Sequence, residues 1–333
     1  MSTTDAAPPL STPLVVGVDL GGTKMAAALV TADGALAGPL ASVPTPARSG
    51  PEAVLDAIAS VVDTVVSAGT HQAPGAPVAV SAVGVGSAGV VNVSTGTIVS
   101  ATDAITGWTG TSVATGVRSR LIAQGYGDMP VHVENDVDAY AGGEAWLGAG
   151  RDASSVLVVA VGTGVGGSVV INGTTVRGAH YVAGEIGHVP APGAENEMCT
   201  CGRRGHLEAI AAGPQIHRRY LAAGGDPEVA NAFEVEQRAD AGDPIASLVY
   251  RDSAIALGKV LAGVVAVLDP ERVVLSGGLA RAGELWWAPL RETFRAELID
   301  PLADVPLVRA ELGTNAPIIG AARGALRLLG ATA

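Results

Sequence analysis

The chain has 333 residues, 48% of them apolar and 16% charged, with a formal net charge of −12. That length suits two domains of roughly 100–200 residues each. The acidic balance excludes the basic surface that a nucleic-acid backbone requires, but not a nucleotide, which a few backbone amides and one cation hold.

Residues 1–13 are small, polar and proline-containing, without the basic-then-apolar order of a signal peptide, and are expected to form a disordered tail. No apolar run reaches the ~20 residues of a membrane span, so no membrane partner is expected. From Leu14 to Val30, and again from Val156 to Ile171, two apolar runs flank a glycine-rich turn. Each reads as a β-hairpin, and their recurrence suggests a duplicated α/β unit. Between them the pattern predicts a helix over 51–68, a strand over 78–85, a helix over 110–124, a strand over 131–134 and a helix over 137–147. A polar insertion follows over 183–208, then a helix over 252–268, a buried strand over 272–276 and a last helix near 318–329. Strands alternating with helices indicate an α/β class. An N-terminal lobe is expected over 14–125, with a terminal helix (about 316–333) packing on it, and a C-terminal lobe over 126–315.

Asp19-Leu20-Gly21-Gly22-Thr23-Lys24 forms the first turn. Glycine lets backbone amides approach a phosphate, Thr23 and Lys24 add donors, and Asp19 suits a water-bridged Mg²⁺. A plain hairpin turn explains the tetrapeptide equally well. Gly162-Thr163-Gly164-Val165-Gly166-Gly167 spells the dinucleotide fingerprint, but a β-branched run follows where a helix must begin. A second phosphate clamp fits better. Gly277-Gly278, after the strand, suits either an adenosine contact or a simple strand-to-helix turn.

Glu134-Asn135-Asp136 stands where a strand yields to a helix. Asp136 there suits an N-cap, or a general base taking a sugar hydroxyl's proton during attack on a γ-phosphate. Glu185 and His188, just past the second hairpin, suit sugar hydroxyls. Cys199 and Cys201, one residue apart, make a poor mutual disulfide and point to a reduced, cytoplasmic setting. With His188 and His206 they complete four ligands for a structural Zn²⁺ that would pin the loop carrying Glu185 and Glu208, the alternative being an unmetallated loop with surface histidines.

The stretches GVDLGGTK, ENDVDAYAGGEA, GTGVGGSVVINGTTVRG, AGEIGHV and CTCGRRGHLEA, in this order, resemble the ROK family (repressors, open reading frames and kinases) from about Leu14 to the end. The resemblance implies an actin-like, hexokinase-type fold of duplicated RNase H-like units, with two lobes around a central cleft that binds sugar and ATP. It implies phosphate contacts at Gly21 to Lys24 and Gly162 to Gly164. It makes Asp136 the base, with Asn135, Glu185, His188 and Glu208 on the sugar, and implies zinc at the His/Cys loop and a homodimer or homotetramer. This chain departs from the pattern in three places. His206 replaces the usual third cysteine, so that His188 would serve metal and sugar with one nitrogen each. Asp103 or Thr102 stands near the position of a sugar-binding asparagine. Val137 and Asp138 replace Ala and Asn. The expected activity is phosphorylation of the 6-hydroxyl of glucose, the alternative substrates being N-acetylmannosamine or N-acetylglucosamine. A repressor is disfavoured because the first phosphate motif begins too early for a preceding DNA-binding module. A non-catalytic sugar binder is disfavoured by the retention of Asp19, Asp136 and both glycine turns.

Overall fold

A computed structural model describes residues 13–72 and 79–331. The expected tail over 1–13 lies outside these apart from Pro13, as does Val78 of the expected strand over 78–85. In chain order the elements are β1 (Leu14–Leu20), β2 (Lys24–Val30), β3 (Ala41–Pro44), α1 (Pro51–Gln72), β4 (Val80–Ser87), β5 (Val90–Asn92), β6 (Thr97–Ser100), α2 (Val113–Ala123), β7 (Val131–Asn135) and α3 (Asp136–Leu147). Then come β8 (Ser155–Val161), β9 (Val165–Ile171), β10 (Thr174–Thr175), α4 (Glu208–Ala211), α5 (Gly213–Ala222), α6 (Ala232–Asp240), α7 (Pro244–Leu268), β11 (Arg272–Ser276), α8 (Glu284–Glu297), β12 (Leu307–Arg309) and α9 (Ala316–Leu328).

The chain divides into two units, residues 1–146 with 314–333, and residues 147–313. The sequence suggests a boundary after residue 125; the division falls after Trp146, because β7 hydrogen-bonds to β4 and so belongs to the first sheet. The first sheet runs β3-β2-β1-β4-β7 and the second β10-β9-β8-β11-β12. In each, a central strand pairs antiparallel with the next strand through a glycine turn and parallel with a later one. The two units are thus the same topology written twice.

In the first unit β1 is buried on both faces. Val16, Val18 and Leu20 enter one core with α1 and α2, while Val15 faces α9 through Ile318, Ala322 and Leu326. That second contact is close because small residues allow it: a Cβ on Gly17 would stand 2.0 Å from the Ile318 carbonyl oxygen. The second unit has one large core, in which α7 and α8 pack with the Trp286 indole donating to Ser253 Oγ at 3.1 Å. Among the described residues no helix is long and apolar enough to cross a membrane.

Candidate active site

In the first unit, β1, β4 and β7 are parallel neighbours, so their C-terminal ends lie along one edge, where open α/β sheets bind ligands. Asp19 pairs with Gly86, and Gly86 with Glu134, which sets Asp136 two residues further along that edge. Asn135, not Asp136, supplies the main cap of α3: its side-chain oxygen accepts the N–H of Val137 at 2.9 Å and of Asp138 at 3.3 Å, while its amide donates to the Gly89 carbonyl at 2.9 Å. Asp136 engages Val137 N–H through one oxygen only, at 2.9 Å. Burial pushes the Asp136 carboxyl up to about 6, with the Asp19 carboxylate adding to the rise. Burial likewise raises Asp19 to about 6, against the pull of Lys24. Two poised acids therefore stand beside the first glycine turn.

That turn is held from outside by Thr45, a residue without a sequence signal. Its hydroxyl donates to the Gly21 carbonyl at 2.7 Å and its N–H to Thr23 at 3.0 Å. The segment carrying Thr102 and Asp103 is anchored by Trp108, whose indole donates to Ser87 Oγ at 3.1 Å, and Ala104 lies against Gly22. Asp103 is exposed there.

In the second unit the glycine turn closes β8 onto β9, and Gly162 accepts from Gly213 at 2.8 Å. The strand after it, β9, rules out the helix that a dinucleotide fingerprint needs. Gly162, Thr163 and Gly278 line one cavity of about 700 Å³. Gly277 does not line it; at φ +86° it makes the turn after β11, where a Cβ would stand 2.3 Å from the Val161 carbonyl oxygen. Sequence reasoning missed the rest of the wall, including His217, Asn231, Phe233, Glu236, Tyr250 and Arg281. These come from α5, the start of α6, α7 and the turn after Gly278, segments with no motif of their own. The only hint was Gly213-Pro214, a helix start.

Glu185, His188 and Glu208 lie together in the same unit. Burial raises the Glu185 carboxyl, His188 opposes the rise and Glu208 adds to it. The His188 ring turns Nε2 toward Glu185 at 3.8 Å and Nδ1 toward Cys199 Sγ at 3.7 Å. Cys201 Sγ lies 3.3 Å from His206 Nδ1, and the four ligand atoms fall within 4.8 Å of one another. Bond lengths of ~2.3 Å to sulfur and ~2.0 Å to nitrogen give a zinc tetrahedron S–N edges of roughly 3.5 Å, so this donor set fits a closed site.

Two sheets of one topology, each with a glycine turn between its leading strands, define the class of actin-like ATPases. Within that class, the sequence profile of the ROK family matches residues 15–327, and the chain belongs to the ROK family. A glucokinase of Streptomyces coelicolor is 34% identical over 330 residues, covering 93% of this chain and 96% of its own. An N-acetylmannosamine kinase of Escherichia fergusonii is 32% identical over 308 residues, covering 92% and 96%. The crystal structure of a ROK glucokinase from Streptomyces griseus with glucose and AMPPNP has a TM-score of 0.73 at 31% identity, over 93% of this chain and 98% of that one.

Proposed function

We propose that this chain is an ATP-dependent sugar kinase whose substrate is glucose, phosphorylated on its 6-hydroxyl. The similar glucokinases support the activity and the sugar. The observation that carries the mechanism is the Asp136 carboxyl, half-buried at the strand-end edge and released from the main capping duty by Asn135. Asp136 takes the proton of the 6-hydroxyl as that oxygen bonds to the γ-phosphorus and ADP leaves with the former bridging oxygen. Glu185, His188, Asn135, Glu208 and Asp103 supply sugar contacts. Gly21, Gly22, Thr23 and Lys24, with Gly162, Thr163 and Gly164, supply phosphate contacts, and Gly278 with its cavity takes the adenosine. Asp19 would hold, through water, the Mg²⁺ carried with the nucleotide, and that cation would supply neutralisation of phosphate charge. His188, Cys199, Cys201 and His206 would hold zinc, which would fix the loop geometry. The reading includes a cytoplasmic setting and a homodimer or homotetramer.

N-acetylmannosamine is the second reading, supported by the similar N-acetylmannosamine kinase. A coupled ADP-release assay over glucose, mannose, N-acetylglucosamine and N-acetylmannosamine separates the two. Glucose is expected to give the highest kcat/KM. A higher value for an N-acylhexosamine replaces glucose, and silence on all four sugars refutes the kinase reading.

A further inference from the structure

The metal loop and the nucleotide cavity of the second unit are joined by two struts. Glu208 is the first. Its Oε2 accepts the N–H of Val165, the residue that leaves the glycine turn, at 3.1 Å, and a Cβ on Gly164 would stand 2.9 Å from the same oxygen. Its Oε1 accepts the hydroxyl of Thr200, the residue between the two cysteines. Cys199 Sγ also lies 3.7 Å from that Oε1; a carboxylate offers about four lone-pair sites, so one is left for a sugar hydroxyl. Glu197 is the second strut. From the loop it pairs with Arg218 at 2.6 Å and Arg219 at 3.5 Å on α5, and Asp252 of α7 holds Arg219 at 3.0 Å. The first turn of α5, with Gly213, Pro214 and His217, lines the cavity.

We propose that Glu208 is a positioning residue for the nucleotide. The relay from Thr200 through Glu208 to Val165 fixes the second glycine turn to the cysteine loop, so the loop sets nucleotide affinity in addition to holding Glu185 and His188. A turn of three residues with two glycines has many conformations to lose on binding a phosphate chain. Tying its exit strand to a metal-pinned loop removes part of that loss before the ligand arrives. The proposal rests on the nucleotide reading of this cavity.

Thr200 tests it more cleanly than Glu208, because it touches the relay alone. MgADP and glucose binding are each measured by calorimetry on the zinc-loaded protein. Thr200→Val is expected to weaken MgADP binding roughly three- to tenfold, a fraction of one charge-assisted hydrogen bond. Glucose affinity is expected to change by less than about twofold, as no proposed sugar contact is removed. Thr200→Ser, which keeps the hydroxyl, is expected to restore MgADP binding. Unchanged MgADP affinity in Thr200→Val overturns the relay, as does equal loss of both ligands or failure of serine to rescue. A wild-type protein that bound glucose but no MgADP would refute the nucleotide reading and the relay with it. Binding of MgADP without turnover of any sugar would instead refute only the kinase reading.

Discussion

The two glycine turns occupy the same place in the same topology, yet their surroundings differ. The first is flanked by Asp19 and Asp136, both raised to about 6 by burial. The second opens on a cavity walled by glycine backbone and by the side chains of α5, α6 and α7, with a cysteine–histidine loop braced behind it. A duplicated scaffold thus gives each copy a backbone cradle, and side chains added at the strand ends divide the labour. In the proposed function, proton transfer falls to the first unit, phosphate contacts fall to both turns, and the adenosine and zinc fall to the second.

The largest test of that division is Asp136→Asn, for which kcat is expected to fall by roughly 10²–10⁴-fold, the usual worth of a positioned base. MgADP binding should persist, since the cavity lies in the other unit. The same variant is expected to melt higher than the wild type near pH 7.5. Asp136 has a folded value of about 6 against an ordinary 3.8. The stabilisation gained by protonating it in the fold is therefore complete below about pH 4 and lost as the pH rises through about 6. The advantage of asparagine should narrow as the pH is lowered across that window, which scanning calorimetry reads directly.

In the wild type, the same raised value makes kcat/KM drop as the pH falls through about 6, by about tenfold per unit once the carboxyl is mostly protonated. A flat profile down to pH 4.5 would break the assignment of the base. On the side of the second unit, Cys201→Ser is expected to lower bound zinc, measured by emission spectrometry, and to lower the melting temperature by roughly 5 °C or more. Freshly purified wild-type protein lacking zinc would remove the metal from the comparison. The smallest effect is expected at Phe233, whose ring is 65% exposed beside the cavity and suits stacking on a purine. Phe233→Ala should raise the KM for ATP roughly five- to tenfold with the sugar KM unchanged, within the usual worth of one base–aromatic stack.

The parts of this fold that repeat a local pattern were legible in the residues. Both hairpins announce themselves by apolar runs around glycine, and β11 coincides with the expected 272–276. The four metal-ligand candidates sit in one short insertion, and the structure gathers their ligand atoms. What the sequence withholds is set by neighbours distant along the chain. The cap of α3 goes chiefly to Asn135 because its amide also reaches the Gly89 carbonyl, a contact invisible in the run Glu134-Asn135-Asp136. The cavity wall is written across residues 213 to 281 with no spacing rule, because such a pocket selects shape. Gly277 and Gly278 look interchangeable in sequence; a left-handed φ next to Val161 gives one to the turn and leaves the other to the cavity.

The helix α9 comes last in the chain but packs on β1, the first strand, with Val15 and Ile318 in one core. During synthesis, the N-terminal sheet therefore waits for its covering layer until residue 328 has left the ribosome. The uninterrupted stretch 147–313 holds all the strands and helices of its own unit and can close earlier. Order of birth and order of completion are thus reversed, and a nascent chain arrested near residue 315 should bury its later sheet while leaving one face of its earlier sheet bare.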